Sequence, residues 1–380
     1  MVGVGSVHVH AVALGWMNTI RWTTMPRMLK RRITQREIAK HVGVSTASVS
    51  MILAGKSLSR FSDETIDRVH TACRELGYQL KAPKRNRNIV LIVCPSVINP
   101  YFATIIQGME MEAKEQGLET VVFTTYWDVE KERSACEFAK DPMVGGVIFA
   151  MIPQQPDLVR QLNETVPVVA VGDKQNEVGL DTVDVNNFNA GVLVARHLLE
   201  LGHRKIAYLS TSLNSEHSAR VRRYDGLKAQ IDRFGQSASL SLFTAEIPSS
   251  TELNTVDIEH RTGRSLAKEC IAKDPGVTAM VAINDMVAYG VIDGIKESGF
   301  SIPGDYSVCG FDNIYPSAFD GVALTSIEHF IVQGGKSALR LLCDKMDGKQ
   351  SRALENSAVI RIEYQTRLIV RSSSGEPRHW

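Results

Sequence analysis

Paired cysteines and long apolar runs are both missing from this 380-residue sequence. Its six cysteines are scattered and form no C-x-x-C pair, which predicts free thiols in a reducing compartment rather than a disulfide framework. No run approaches the ~18 uninterrupted apolar residues of a membrane-spanning helix, so we expect no membrane contact. With 44% hydrophobic and 22% charged residues, the composition is that of a globular protein of two or three domains.

Signatures of catalysis and of export are also missing. The sequence has no P-loop, no G-x-S-x-G elbow, no H-E-x-x-H and no cluster of metal-ligating residues. We therefore predict no enzymatic activity, no cofactor and no metal, although fold alone does not exclude catalysis. Residues 1–30 lack the basic start and clean apolar core of a secretory signal. We interpret them as a disordered leader or a mis-called gene start, with Met25 or Met28 as a natural start.

Positive charge is concentrated in one segment of the chain. The formal net charge is only +1, yet residues 27–88 contain 14 Lys/Arg and 5 Asp/Glu, a balance of +9. The remainder of the chain therefore carries −8. A basic segment on an acidic body indicates one part that meets phosphate and another part that does not.

The basic segment contains the spacing of a helix-turn-helix. Thr34 and Glu37 form a capping box that begins the first helix, and Gly43 ends it. Ser45 can cap a short second helix over residues 46–53, whose exposed N-terminal side chains can enter a major groove. The alternative is an unrelated helical hairpin, against which the basic surroundings argue.

A third helix completes the predicted head. Ser62 caps it, Ile66, Val69, Cys73 and Leu76 recur on one face, and Gly77 stops it. Apolar residues of the first two helices, with small Ala39 at their crossing, complete a minimal core.

Strands and helices alternate beyond a basic stretch at residues 80–88. Strictly alternating units predict parallel sheets covered by helices on both faces, and so long a segment predicts two such lobes. Ligands of such folds bind at the carboxyl ends of the strands, which here means the cleft between lobes. The predicted strands are Ile89–Cys94, Thr120–Thr124, Gly146–Ala150, Pro167–Val171, Lys205–Leu209, Leu240–Phe243, Ala279–Ile283 and Tyr306–Phe311. The predicted helices are Tyr101–Gln116, Glu130–Lys140, Asp157–Leu162, Phe188–Leu201, Ala219–Phe234, Gly263–Lys273 and Met286–Ser298.

Short motifs follow one another in a characteristic order along the chain. The head carries T-x-x-x-I-A-x-x-x-G-V-S-x-x-S-V-S from Thr34 to Ser50, and its third helix ends in ELGY. Further motifs are NPYF from Asn99, LGHRKIA from Leu201, ND at Asn284 with Ala288, SVCGFD from Ser307, LTSI from Leu324 and LIVRS from Leu368. In this order and spacing, the chain resembles the LacI/GalR (lactose-repressor) family of bacterial transcription regulators from about Ile33 to Ser373.

The resemblance implies an all-α three-helix helix-turn-helix head on an α/β two-lobed core like the periplasmic binding proteins. It also implies a homodimer whose two heads read a roughly palindromic operator in double-stranded DNA. The boundaries that follow are a leader at 1–30, the head at 31–79, a basic linker at 80–88, the core at 89–373 and a tail at 374–380. Within the core, we expect an N-lobe at about 89–185 and 313–329, and a C-lobe at about 186–312 and 330–373.

The resemblance also implies which residues meet DNA. It places Thr46, Ala47, Ser48 and Met51 in the groove, where Met51 stands in place of the common Arg. That loses a bidentate contact to guanine, worth ~1–3 kcal/mol of discrimination, and contacts to thymine methyls could substitute for it. Phosphate contacts are expected from Thr34, Gln35, Ser45, Ser48, Ser50, Lys81, Lys84 and Arg85.

For the effector cleft, the resemblance suggests five residues. Tyr101 and Phe102 could stack on a ring, Arg223 matches the family's effector-binding arginine, and Asp285 and Asp173 supply acceptors. Together they suit a polyhydroxyl, sugar-like effector better than a purine. Two alternatives stay open: Arg223 as a solvated helix charge, and Asp285 as a plain helix cap.

The linker is where the chain departs from its relatives. The family usually has a short A-R-x-L helix there, whose leucines wedge into the minor groove. The interval before Ile89 has no such motif, and Pro83 disfavours a helix. We predict an extended basic linker that adds salt-dependent affinity with little bending, with Leu80 as the alternative wedge.

These observations predict a cytoplasmic, nucleoid-associated transcriptional regulator, a repressor whose operator affinity is set by a small-molecule effector between two lobes. A solute-binding sensor without a DNA role would need an export signal and no head, and the sequence shows the reverse. An enzyme on the same scaffold is the other alternative. The C-terminal residues suggest no tetramerising segment, so the expected assembly is a dimer.

Overall fold

A computed structural model of the chain describes residues 33–53, 60–76, 78, 88–172, 179–213, 218–348 and 358–378. The contacts divide the chain into two compact units, one up to residue 84 and a larger one from residue 85. The predicted leader and the linker residues 80–87, with Lys81, Lys84 and Arg85, lie outside the described residues. Asp173 lies outside them too.

The described residues of the first unit form three helices, α1 (Gln35–Val42), α2 (Thr46–Leu53) and α3 (Asp63–Glu75). The capping box begins α1, because the Glu37 carboxylate lies 2.7 Å from the Thr34 backbone nitrogen. Gly43 ends α1 with φ 77, a left-handed conformation that glycine adopts without strain. The three helices bury a small apolar core formed by Ile38, Ala39, Val42, Val49, Ile52, Val69, Ala72 and Cys73.

Where the structure describes the larger unit, its strands form two six-stranded sheets. Its strands are β1 (Ile89–Cys94), β2 (Glu119–Thr124), β3 (Val144–Phe149), β4 (Val168–Val171), β5 (Asp181–Val185), β6 (Lys205–Thr211), β7 (Ser239–Ala245), β8 (Ala279–Ala282), β9 (Ser307–Asp312), β10 (Thr325–Glu328), β11 (Arg361–Tyr364) and β12 (Arg367–Ile369). The first sheet has the order β11-β5-β4-β3-β1-β2, and the second has the order β12-β10-β9-β8-β6-β7. All pairs are parallel except β10 with β12, as the alternating pattern predicts.

Nine helices of this unit are α4 (Pro100–Gln116), α5 (Val129–Phe138), α6 (Pro156–Asn163), α7 (Asn187–Glu200), α8 (Ser218–Phe234), α9 (Ser249–Asn254), α10 (Ile258–Lys273), α11 (Asp285–Glu297) and α12 (Ile331–Met346). Separate clusters of buried apolar side chains cover the two sheets. The central strands are fully buried, because helices lie on both faces of each sheet.

The predicted division into lobes is wrong between residues 313 and 364, whereas β12 lies in the second lobe as predicted. β10 pairs with β9 and so belongs to the second lobe, not the first. Conversely, α12 packs on the first sheet and β11 pairs with β5, so residues 331–364 belong to the first lobe rather than the second. Along its described residues, the chain crosses between the lobes at three places, after β5, after β10 and after β11. The first crossing was predicted correctly, but the second and third were predicted too early, after residues 312 and 329, because the strands that decide them had not been identified.

The predicted C-terminal tail is part of the second lobe as far as Arg378. The backbone carbonyl of Gly375 lies 2.9 Å from His203 Nε2. The Arg378 guanidinium lies 4.5 Å from the centre of the Tyr306 ring. No helix in the described part of the chain is both long and apolar enough to cross a membrane.

Candidate functional site

The second helix of the head presents its N-terminal side chains outward. Thr46, Ala47 and Ser50 are exposed, and Ser48 and Met51 are half-buried. Ser45, also exposed, begins the helix: its Oγ accepts a hydrogen bond of 2.9 Å from the Ser48 backbone nitrogen. The side chains predicted to enter a DNA groove therefore share one accessible end of α2, whose unpaired amides also favour an anion such as phosphate.

The first helix supplies two more of the predicted contacts. Thr34 is exposed and Gln35 is half-buried at the start of α1. The Thr34 hydroxyl lies 3.0 Å from the Glu37 carboxylate, so the capping box holds this end of the helix in place.

A cavity of about 140 Å³ lies between the two lobes at the carboxyl ends of their strands. Its lining includes Tyr101 and Phe102 from the first lobe, as predicted, with their rings edge to face and 5.2 Å apart. It also includes Arg223 from the second lobe. Three of the five predicted effector residues therefore line one cavity.

Arg223 is a buried residue rather than a solvated helix charge, since only 8% of it is exposed. Its Nε donates to Asn187 Oδ1 at 2.9 Å, and its terminal nitrogens donate to the Ile283 carbonyl at 2.5 Å and to Asp312 Oδ1 at 3.3 Å. These bonds use three of the five N–H groups of the guanidinium. Among the described residues, two N–H groups remain to donate to a ligand in the cavity.

Asp312, which the sequence analysis missed, is the carboxylate that lines this cavity. It ends β9 with φ 106, a strained left-handed conformation of the kind that clusters at functional sites. Arg223 and the Nδ1 of His329, which lies 3.0 Å away, both approach its Oδ1. Its Oδ2 accepts from no described residue and can accept from a ligand. Burial lowers the pKa of His329, and the Asp312 carboxylate opposes that shift.

Asp285 does not line the cavity, so the structure contradicts its predicted role as an effector ligand. It is fully buried, and its carboxylate accepts from Ser317 Oγ at 2.6 Å, Ser326 Oγ at 2.6 Å and the Ile314 backbone nitrogen at 3.0 Å. It is not the helix cap either, because Asn284 caps α11 through its side chain. Through these hydrogen bonds, Asp285 instead connects the loop that follows β9 with strand β10.

Glu259 connects the two lobes across the cavity. Its carboxylate accepts from Asn99 of the first lobe at 2.7 Å and from Asn284 of the second lobe at 2.8 Å. Burial raises the pKa of Glu259, whereas the charge of Arg220 lowers it. A ligand that replaces Asn99 or Asn284 as the partner of Glu259 would break a hydrogen bond that joins the lobes and form one with Glu259 instead.

The cavity residues that were not predicted differ in whether the sequence contained a signal for them. Asp312 directly follows a predicted strand, so the rule that ligands bind at strand carboxyl ends would have found it. Trp127 also lines the cavity and lies three residues after the predicted strand Thr120–Thr124, so the same rule would have found it. Glu259 lines the cavity too, but it does not closely follow a predicted strand and carries no motif. Only the packing of the two lobes brings Glu259 to this cavity.

Comparison with known proteins identifies the family. Residues 87–369 match the family of periplasmic binding proteins and sugar-binding domains of the LacI family, and residues 34–80 match the bacterial regulatory proteins of the lacI family. The chain belongs to the LacI family. This confirms the resemblance and the predicted combination of a helix-turn-helix head with a two-lobed α/β core.

Relatives of known name are regulators of transcription. The repressor PurR of Mannheimia succiniciproducens is 29% identical over 350 residues, which cover 90% of this chain and 98% of that protein. The regulator DegA of Bacillus subtilis is 25% identical over 343 residues, covering 87% of this chain and 97% of that protein. This LacI-family chain is therefore a DNA-binding transcriptional regulator with a ligand-binding core.

Solved structures share the fold. The regulator CelR in complex with cellobiose has a TM-score of 0.63 and 23% identity, and the match covers 90% of this chain and all of that one. A LacI-family regulator from Enterococcus faecium with bound ribose has a TM-score of 0.62 and 24% identity, over 76% of this chain and all of that one. These matches agree with the observed order of strands and helices.

Proposed function

We propose that this protein represses transcription as a homodimer on a roughly palindromic operator, and that a sugar-type effector bound between its lobes sets its operator affinity. The observation that carries the proposal is the cavity itself. Charged, amide and aromatic side chains from both lobes converge on it, so an occupant contacts both lobes at once and can shift their arrangement.

The chemistry of the cavity favours a polyhydroxyl ligand. Arg223 offers N–H donors and Asp312 offers an acceptor, a combination that suits sugar hydroxyls, which both donate and accept. Tyr101, Phe102 and Trp127 add flat apolar surface for the face of a ring. The cellobiose and ribose in the two fold relatives agree with this class. The same aromatic surface could also accept a purine, which is the second candidate.

On the DNA side, we propose that Thr46, Ala47 and Met51 contact bases. Thr34, Gln35, Ser45, Ser48 and Ser50, with Lys81, Lys84 and Arg85 of the linker, would contact phosphates. The exposed N-terminal end of α2 supports this assignment, because a recognition helix reads base edges from that end. The small side chains and Met51 predict that contacts to thymine methyls matter more than contacts to guanine.

The proposed dimer is supported by exposed apolar side chains on the sheet edges. β2 forms one edge of the first sheet and β7 forms one edge of the second, and Val121, Val122 and Leu242 on them are 37%, 38% and 44% exposed. Unpaired edge strands with apolar side chains favour association. We also propose that the protein works in the cytoplasm on nucleoid DNA and releases its effector chemically unchanged.

The test begins with selection of operator DNA from a random-sequence library by the full-length protein. A palindromic consensus is expected, and a protein that starts at residue 88 should retain effector binding but not this DNA. A thermal-shift screen of D-ribose, cellobiose, other sugars and nucleobases then identifies the ligand class, since a ligand of the folded state raises its stability. The proposal fails if no palindrome is selected, or if only nucleobases stabilise the protein.

A further inference from the structure

A second, smaller cavity lies beneath the interlobe cavity, at the hinge. Its volume is about 60 Å³, and Tyr101, Val171, Gly172, Ala219 and Arg223 line both cavities, so the two adjoin. We name this smaller space the hinge cavity.

All three crossings between the lobes contribute to the lining of the hinge cavity. Val185 and Asn187 come from the crossing after β5, His329 and Ile331 from the crossing after β10, and Tyr364 from the end of β11. When two lobes rotate about a hinge, the crossing segments absorb the change in backbone angles. An occupant of the hinge cavity therefore touches every segment that such a motion must deform.

His329 gives the hinge cavity an unused polar atom. The residue is 3% exposed, and its Nε2 has no hydrogen-bond partner among the described residues. Its other nitrogen, Nδ1, lies 3.0 Å from the Asp312 carboxylate, but it likewise makes no hydrogen bond of good geometry with a described residue. The attraction of that carboxylate for a proton on Nδ1 favours the tautomer in which Nε2 is an unprotonated acceptor, and a buried acceptor without a donor is unfavourable.

Gly334 of α12 leaves room in the same place. It is buried and lines the hinge cavity, yet a Cβ added to it would meet nothing within 4 Å. A buried position with open space at its Cβ faces a void, and this void has polar walls. It is large enough for a few water molecules or for one hydroxymethyl group, since one water needs roughly 10–15 Å³.

We propose that the hinge cavity is a distinct subsite of the effector pocket that takes a hydroxyl group of the effector, which donates to His329 Nε2. This proposal rests on the proposed effector cleft. It adds that His329, in the hinge cavity, makes the protein prefer an effector that has a hydroxyl group there. Asp312 serves both compartments, because it contacts Arg223 in the cleft and His329 at the hinge. Filling the subsite thus couples the ligand to all three crossings.

The first test compares methyl β-D-ribofuranoside with its 5-deoxy analogue by calorimetry on the full-length protein, because both are locked as furanoses and differ in one hydroxyl group. The hydroxylated furanoside should bind about 5- to 10-fold more tightly, the effect of one hydrogen bond to a buried acceptor. His329→Leu removes the acceptor and Gly334→Val fills the space, so each should bring the two affinities within about twofold. If both variants keep the wild-type preference for the hydroxylated furanoside, or if the wild type has none, the subsite is not where we place it.

The second test needs no knowledge of the effector. Glycerol is the probe, and the imidazole nitrogens of the full-length protein are observed by NMR, with the His329→Leu spectrum assigning the signal. The Nε2 signal of His329 should respond saturably to glycerol. The equally buried His203 should not, because its nitrogens bond to Thr278 Oγ1 at 2.8 Å and Ser307 Oγ at 3.0 Å.

The two tests separate failure of the subsite from failure of the proposed function. A saturable glycerol response without furanoside binding supports the hinge subsite and counts against a ribofuranose as effector. Furanoside binding without discrimination, together with an unresponsive His329, overturns the subsite and leaves the effector cleft standing. An unresponsive His329 in a protein that binds no sugar counts against both.

Discussion

At the scale of single residues, Asp312 and Asp285 are two buried carboxylates of the same lobe whose partners differ. Asp312 lines the cleft and contacts Arg223 and His329. Asp285 contacts two hydroxyls and a backbone amide of the loop and strand behind it. One carboxylate therefore faces a ligand-sized space, whereas the other holds the polypeptide together.

Substituting each carboxylate by its amide separates these roles. Asp312→Asn should weaken the ligand found in the screen at least about 10-fold, because it removes a charge-assisted contact. Asp285→Asn should change that affinity by less than about threefold while lowering the midpoint of thermal unfolding. Calorimetry measures the ligand affinity of both variants, and thermal melts measure their unfolding midpoints. A larger loss of affinity in Asp285→Asn than in Asp312→Asn would indicate that Asp285 binds the effector after all.

Asp285 should also make stability depend on pH. Burial, and then the nearby charge of Asp312, raise the pKa of Asp285 to about 8 in the folded protein, against about 4 for an unfolded chain. A carboxyl with a raised folded pKa adds stability below about pH 4 that is lost as the pH rises towards about 8. The unfolding free energy of the core should therefore decline over this interval.

Denaturant unfolding at pH 5, 6.5 and 8 gives the measurement. Asp285→Asn cannot ionise, so its deficit relative to the wild type should shrink by at least ~1 kcal/mol between pH 5 and pH 8. A deficit that stays constant, or grows, across these three conditions would contradict the raised pKa.

Some of these cleft residues could be predicted from the sequence, and others could not. Tyr101, Phe102 and Arg223 were predicted because motifs mark them. Asp285 was misplaced because it follows a strand, yet its side chain turns towards Ser317 and Ser326, away from the cleft. Glu259 could not have been predicted, because its partners Asn99 and Asn284 are 160 and 25 residues away in the chain.

At the scale of elements, close helix pairs cross at glycines. In the α7–α8 pair, a Cβ on Gly226 would overlap the backbone carbonyl of Phe188. The adjacent turn of α8 carries Arg223, so this close approach holds the guanidinium at the cleft. Backbone atoms cannot move aside as a flexible side chain can.

Gly226→Ala should therefore push α8 away from α7. We expect a loss of about 1–3 kcal/mol in unfolding free energy and a weaker effector complex, because Arg223 moves with its helix. Gly321→Ala is the matched control, since a Cβ there meets nothing within 4 Å. Denaturant unfolding and calorimetry test both variants; equal behaviour of the two would show that the crossing tolerates a methyl group.

Elements with clear periodicity were predicted well, and the crossings were not. The described helices α1 and α2 and the central strands fall close to their predicted positions, because capping and apolar runs are local signals. β5, β10, β11 and β12 are short and lie next to the crossings. Their membership of one sheet or the other depends on strand pairing across distant sequence, which local patterns do not encode.

At the scale of the whole molecule, the proposed dimer makes a prediction for the edge of the first sheet. Sedimentation at micromolar concentration should give the mass of two chains. The double variant Val121→Arg, Val122→Arg places charges on the exposed edge strand β2 and should therefore be monomeric. Its operator affinity should be reduced, because each monomer then binds its half-site independently of the other. Val370→Arg, at a position 57% exposed in the other lobe, is the control. A mass of four chains would contradict the dimer.

The linker between the two units remains a prediction, since residues 80–87 lie outside the described structure. Lys84, Arg85 and Arg87 offer positive charge without the usual A-R-x-L helix, and Pro83 lacks the amide that a helix interior needs. Charges that contact phosphate release counterions, so each contact contributes roughly 0.9 to the slope of log affinity against log salt. Contacts of this kind do not in themselves bend the duplex, whereas an inserted apolar wedge does.

Two variants distinguish a basic tether from a minor-groove wedge. Replacing Lys84, Arg85 and Arg87 with Ala should lower the salt slope by roughly 0.9 per lost contact and leave sequence preference and bend unchanged. Leu80→Ala should leave both the slope and the bend as they are. Operator bending is measured by electrophoresis of permuted sites, and affinity is titrated over a range of salt concentrations. A sharp bend that survives the triple variant but disappears in Leu80→Ala would show that Leu80 wedges into the minor groove, because only an inserted side chain can kink DNA independently of the basic contacts.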